Sequence, residues 1–261
     1  MERITSRDNR RLVRARKVRD GRLRGEIFIE GKRLFDEAVR NNVIIDEVFV
    51  SDSFASTDQY ITPSHPKVFL LSDSLLNTIA DTATPQGIVA IAKRPSGALT
   101  LDKIFREKDG LNLWIMLEAV QDPSNIGAIM RVAKAAGAAG LLLAAGCADP
   151  YSPRSLRASM GAAFGVPMVQ GVSAEDVLRA AKKRKIRIAA TCVDEGQPHW
   201  DIDWRPSTLV MFGSEARGLS HAATSEADIR VSIPMDPAME SLNVAVSCGV
   251  IVYEALRQIR R

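Results

Sequence analysis

Three polar stretches in the second half of the chain carry residues that could do chemistry. Asp122-Pro123-Ser124-Asn125-Ile126-Gly127 leads on to Arg131, Phe212-Gly213-Ser214-Glu215-Ala216-Arg217-Gly218 follows, and Ile233-Pro234-Met235 precedes Ser241-Leu242-Asn243. Together they supply the amides of Asn125 and Asn243, the carboxylates of Asp122 and Glu215, serine hydroxyls and guanidinium groups, and the carboxylates of the chain are not arranged as an obvious metal cage. Arg131 offers a planar fork of donors that could orient a hydroxyl or clamp a phosphate. A guanidinium stays protonated across the ordinary pH range, which makes a general-base role physically difficult. Gly213 ends an apolar run, where the missing Cβ would let a ligand lie against the backbone; a turn glycine is the plainer alternative. Asn125, Ser241 and Asn243 could equally be helix caps. Glu215 could favour a helix N-terminus electrostatically, and Arg131 could simply face solvent.

Each stretch falls where a predicted strand ends and a helix can begin, the edge at which open α/β sheets bind ligands. The strands expected over 113–120, 140–145, 186–193, 208–212 and 229–233 are apolar without a period of two, which points to a sheet covered by helices on both faces. Helices fit 126–136, 154–163 and 174–185, the last with Ser173 as N-cap. The final helix, 242–260, is apolar nearly all round as far as Leu256, so it either threads the core or faces a partner subunit.

The first half alternates shorter elements: strands over 27–29, 48–50, 68–71 and 87–92, with helices over 32–41 and 74–80. This predicts a smaller α/β domain. Lys93-Arg94-Pro95-Ser96-Gly97 breaks the pattern. We therefore expect residues 1–95 as one domain, 96–110 as a linker and 111–261 as a second domain.

With 46% hydrophobic and 25% charged residues, the chain reads as an ordinary globular protein. It holds no apolar run of about 18 residues and no signal-peptide pattern. Cys147, Cys192 and Cys248 are odd in number and lack metal spacing, as do His65, His199 and His221. A cytoplasmic, metal-free protein is expected. Residues 1–24 hold ten Lys/Arg against Glu2, Asp8 and Asp20, a net of +7 in a chain whose total is +4. Such an arm is either a solvated charged helix or a phosphate-binding surface. The RNA-contact candidates are Arg7, Arg10, Arg11 and Arg14.

The usual dinucleotide, P-loop and nucleophile-elbow motifs are missing. The N(I)G…R, FGSE..G and IPM…SLNV blocks, in that order and spacing, resemble the SpoU/TrmH branch of the SPOUT RNA methyltransferases. The first half, with Phe28-Ile29-Glu30-Gly31 before an amphipathic helix, is similar to the ribosomal-protein-like RNA-binding domain found in that family. The resemblance implies a mostly parallel α/β domain with a C-terminal trefoil knot, an exception to the rule against threaded chains. It further implies S-adenosylmethionine as methyl donor, a ribose 2′-hydroxyl of structured RNA as acceptor, and a homodimer. Ribosomal RNA is the expected substrate and transfer RNA the alternative. A non-catalytic RNA-binding or ribosome-assembly factor of the same fold is a further one.

By the same resemblance Arg131 acts on the 2′-hydroxyl and Asn125 holds it, with Glu215, Ser241 and Asn243 completing the catalytic set. The main chain of Gly213, Ile233 and Leu242 frames the adenosine, and Pro234 and Met235 shape its wall. Trp200 and Trp204 could stack on a base or anchor a surface loop.

Overall fold

A computed structural model describes residues 1–57, 67–95, 99–107 and 110–260. His65, and Ser96-Gly97 of the expected linker, lie outside them. The chain divides into two compact units, residues 1–96 with 150–164, and residues 97–149 with 165–261.

In the first unit, strand β1 (Glu2–Arg3), helix α1 (Arg10–Arg19), β2 (Glu26–Glu30), α2 (Lys32–Arg40), β3 (Ile45–Ser51), α3 (Asp52–Ala55), β4 (Val68–Leu71), α4 (Asp73–Asn77) and β5 (Ile88–Lys93) follow one another. The sheet order is β1-β4-β3-β5-β2. Pairing is parallel for β1-β4 and β3-β4, and antiparallel where β5 joins β3 and β2. The four expected strands are present, and β1 adds a short edge that no apolar run announces. Leu12, Ala15 and Val18 place one stripe of α1 in a core with Phe28, Phe49 and Phe69. The arm is therefore partly structural, because the apolar stripe of α1 is packed into the core of its unit.

Helix α5 (Leu101–Ile104) lies within the expected linker. It is no free tether, because Ile104 and Phe105 are buried and Trp114 Nε1 donates to the Ile104 carbonyl at 2.8 Å. Next come β6 (Leu113–Leu117), α6 (Pro123–Ala136) and β7 (Gly140–Ala144). Helix α7 (Pro153–Ser159) belongs to the first unit, although its sequence was read as part of the second domain. It is shorter than the expected 154–163. Met160 and Gly161 take positive φ (50° and 87°), and a Cβ on Gly161 would collide with Glu37 of α2. The missing Cβ at Gly161 is what permits this close backbone approach.

The second unit continues with β8 (Met168–Val172), α8 (Ala174–Lys183), β9 (Arg187–Thr191), β10 (Gln197–Pro198), β11 (Thr208–Phe212), α9 (His221–Ser225), β12 (Ile229–Ser232) and α10 (Val244–Ile259). Ser173 caps α8 as expected, accepting from Asp176 N at 3.0 Å. The seven strands run in the order β10-β12-β9-β11-β6-β7-β8, and every pairing is parallel. The edge strands β8 and β10 are the two that sequence patterning misses, since a half-exposed edge strand needs no apolar run. Strands β6, β7 and β11 are wholly buried.

From β6 the chain moves outward to β7 and β8, then returns to insert β11 between β6 and β9. That reversal is a topological switch point, where loops on neighbouring strands diverge and leave a crevice.

Candidate active site

The sheet register sets the site. Phe212 at the end of β11 pairs with Leu117 at the end of β6, so both strands stop level. Glu118 N donates to the Phe212 carbonyl at 2.9 Å and extends the ladder by one bond. The chain then turns away through Ala119, a non-glycine residue at φ 54°, a conformation that is sterically costly and concentrated at functional sites. Asp122, not Asn125, caps α6, accepting from Ser124 N at 2.8 Å. Asn125 lies in the first turn, and its side chain is free for other work.

That work joins all three polar stretches. Asn125 Nδ2 donates to Glu215 Oε1 at 2.7 Å, and Asn243 Nδ2 donates to Asn125 Oδ1 at 3.0 Å. Asn243 is also the N-cap of α10, its Oδ1 accepting from Ala245 N (2.9 Å) and Val246 N (3.3 Å). Capping and site roles thus coincide in Asn243. For Glu215 the capping alternative fails, since Ser220 caps α9.

Past β11 the loop folds back on itself, with Ser214 N donating to the Gly218 carbonyl at 3.1 Å and Gly218 N to the Ser214 carbonyl at 2.9 Å. Gly213 is required by its own loop: a Cβ there would collide with the backbone of Gly218 and Leu219. The turn-glycine alternative therefore accounts for the missing Cβ, although Gly213 also borders the cavity described next. Glu118 anchors the far end of this loop, accepting from Ser220 N and Ser220 Oγ, each at 2.8 Å. Sequence reading missed Glu118; a carboxylate directly after a fully apolar strand was the available signal.

A cavity of about 650 Å³ opens beside the loop. Its walls include Gly213, Ile233, Met235 and Leu242, the four expected cofactor residues, together with Glu215, Ser241 and Asn243. Phe212, Val231 and Ile251 make it apolar at depth. Such a slot, rimmed by main chain, suits an uncharged aromatic face with a few directed hydrogen bonds. Cys192 also lines it, but burial raises its pKa and keeps it a thiol. Burial likewise raises Cys147, with the charges of Glu215 and Glu118 acting in the same direction.

Arg131 is not part of the Asn125–Glu215–Asn243 chain. Six residues beyond Asn125 on α6 places it about 9 Å along the axis and a third of a turn around it. It is exposed, with no hydrogen bond or ion pair among the described residues. Helix α6 packs on α10 through Val132 and Gly249. On α10, Val246 and Tyr253 are 52% and 49% exposed.

Of the expected RNA contacts, Arg11 and Arg14 are engaged inside the first unit. Arg11 pairs with Glu47 and lies 4.5 Å over the Phe69 ring. Arg14 pairs with Glu26, with Asp46 at 3.1 Å and with Glu47 at 3.2 Å. Arg7 and Arg10 are exposed. The tryptophans divide as well: Trp204 is buried, its Nε1 donating to the His199 carbonyl at 2.8 Å, whereas Trp200 is 51% exposed. Among the described residues no three side chains are grouped to hold a metal, and no helix is long and apolar enough to cross a membrane.

Comparison with known proteins identifies the family of the chain. The SpoU rRNA Methylase family matches residues 112–253, and the MRM3-like substrate binding domain matches residues 9–90. An uncharacterised tRNA/rRNA methyltransferase of Synechocystis is 33% identical, over 98% of this chain and 93% of its own length. The 23S rRNA (guanosine(2553)-2′-O)-methyltransferase of Bacillus subtilis is 29% identical, over 87% of this chain and 86% of its own. Among solved structures, the SpoU methyltransferase AviRb of Streptomyces viridochromogenes, in complex with the cofactor AdoMet, superposes with a TM-score of 0.84. It is 30% identical, covering 96% of this chain and 98% of its own. With its three sequence blocks gathered on one sheet edge and its second half matched by that family, the chain belongs to the SpoU rRNA methylases.

Proposed function

We propose that this protein transfers a methyl group from S-adenosylmethionine to a ribose 2′-hydroxyl of ribosomal RNA. The observation that carries the reading is the hydrogen-bonded chain Glu215–Asn125–Asn243 at the rim of the cavity that Gly213, Ile233, Met235 and Leu242 line. The names of the relatives support rRNA as the substrate, as does the substrate binding domain matched in the first half. Transfer RNA is the second reading, supported by the name of the Synechocystis relative.

S-adenosylmethionine supplies a sulfonium-activated methyl carbon and a neutral thioether leaving group, so no metal is needed. The protein's task is to hold the ribose oxygen at ~3–3.5 Å from that carbon and in line with the breaking bond. The apolar depth of the cavity takes the adenine face, and the main chain at Gly213, Ile233 and Leu242 directs it. Asn125 and Asn243 lock the three loops together, which fixes the geometry before substrate arrives. Ser241, exposed on the same wall, offers a hydroxyl to the reacting end. Arg131 orients the 2′-hydroxyl or its neighbouring phosphate; as a permanent cation it favours loss of the hydroxyl proton without accepting it.

The enzyme works as a homodimer in this reading, with Val246 and Tyr253 of α10 covered by a second copy. That arrangement brings an Arg131 to a site it does not reach along its own helix. The C-terminal segment that lines the cavity is where we place the family's trefoil knot. Arg7 and Arg10 meet RNA phosphates, and the free cysteines suit a reducing cytoplasm. Tritiated methyl transfer into rRNA and tRNA fractions from cells lacking the protein tests the function. Label is expected in 2′-O-methylribose of rRNA, and an inert rRNA fraction would overturn the substrate assignment.

A further inference from the structure

Among the residues lining the cavity, Arg217 is the sole cation and Glu215 the sole carboxylate. Glu215 has one oxygen engaged by Asn125 at 2.7 Å. The guanidinium of Arg217 has no hydrogen bond, ion pair or ring partner among the described residues; only its main-chain N–H is used, toward Ser214 Oγ at 3.1 Å. Other arginines of this unit do find carboxylates, as Arg205 does with Asp203 and Arg257 with Glu254. The loop carrying Arg217 is pinned at one end by the Ser214–Gly218 bridge and at the other by the two bonds from Ser220 to Glu118. A cation is thus held at the cavity wall with no bonded carboxylate among the described residues to neutralise it.

We propose that Arg217 binds the α-carboxylate of the methyl donor's amino-acid part. The inference rests on the reading that the cavity receives S-adenosylmethionine. That molecule carries one anionic group, its carboxylate, and a guanidinium fork grips a carboxylate through two parallel charge-assisted bonds. The rest of the cavity offers apolar surface, amides, hydroxyls and a like-charged Glu215, none of which answers a carboxylate as well. Two residues apart on one short loop, Glu215 joins Asn125 at the rim and Arg217 anchors the amino-acid tail of the ligand.

The test is a calorimetric titration of the full-length protein with S-adenosylhomocysteine and with 5′-methylthioadenosine, which keeps the adenosine and thioether but has no amino-acid part. Arg217→Ala should weaken S-adenosylhomocysteine about tenfold, in line with loss of a charge-assisted pair at an accessible site, and leave 5′-methylthioadenosine within twofold. Arg217→Lys should fall between. Equal weakening of both compounds, or no change in either, overturns the assignment. So does unchanged S-adenosylhomocysteine binding with weakened RNA binding, which would give the guanidinium to an RNA phosphate. A wild-type protein that binds neither compound overturns the donor reading itself and this assignment with it.

Discussion

Helix α1 and the loop after β11 are both arginine-bearing, and they treat their charges in opposite ways. On α1, Arg11 and Arg14 turn back onto Glu26, Asp46 and Glu47 of the sheet, and Glu47 is only 4% exposed. Those arginines offset one carboxylate that the fold has buried, Glu47, and two that it leaves partly exposed. In the second unit, Arg217 on the cavity wall and Arg131 on α6 have no protein partner among the described residues, while the neutral amides of Asn125 and Asn243 do the internal joining. A cation that is already paired stabilises its own unit, whereas an unpaired one remains available to a ligand. Net charge over a segment cannot distinguish the two, which is why Arg7, Arg10, Arg11 and Arg14 look alike in sequence although only Arg7 and Arg10 among them are exposed.

The comparison can be broken most sharply at Arg131. Arg131→Ala should reduce methyl transfer by at least about 100-fold, the scale of a lost positioning contact, with melting temperature and donor affinity unchanged. Loss of less than a few fold would remove Arg131 from the chemistry. Asn243→Ala should lower turnover by about tenfold to 100-fold, since it opens the joint with Asn125. It should also cost about 1 kcal/mol of stability as a lost helix cap, read by urea denaturation; stability lost with turnover intact would make Asn243 a cap alone.

The arm sets the next contrast. Arg14→Ala should destabilise by ~1–3 kcal/mol, below the full cost of breaking a buried pair because Arg14 is itself 31% exposed. Arg10→Ala should leave stability unchanged and weaken RNA binding a few fold, with a shallower salt dependence. If Arg14→Ala weakened RNA binding more than Arg10→Ala at equal folded fraction, the division of the arm would fail.

The smallest effect belongs to Glu254. Bonding to Arg257, with Gln258 assisting, lowers its pKa to about 2 from an ordinary 4.5. A carboxyl whose pKa is depressed on folding adds stability that is complete above ~4.5 and lost as the pH falls toward 2. Glu254→Gln should therefore flatten the acid limb of the stability–pH curve over that window, and a curve identical to wild type would show that the pair contributes nothing.

Much of the second unit was legible because buried parallel strands announce themselves as apolar runs; β6, β7, β9, β11 and β12 are all found where expected. The polar rim was legible for the converse reason, since Asn, Glu and Arg at the ends of such runs need an explanation. Strands β8 and β10 were hidden by edge exposure. The packed helix α5 was hidden because four residues are too few to show a period. Residues 150–164 fall within the second domain in sequence yet pack with the first unit, since helical spacing says which face is apolar but not which core receives it.

Sequence alone, then, determined which residues could take part: the strand cores by their composition, and the three blocks by their order. Tertiary structure decided who meets whom. Inserting β11 beside β6 brought Gly213 level with Glu118 and set Glu215 against Asn125, 90 residues away in sequence. Hydrogen bonds of about 3 Å between residues so far apart depend on strand order and register, which are global properties of the sheet that no local spacing encodes.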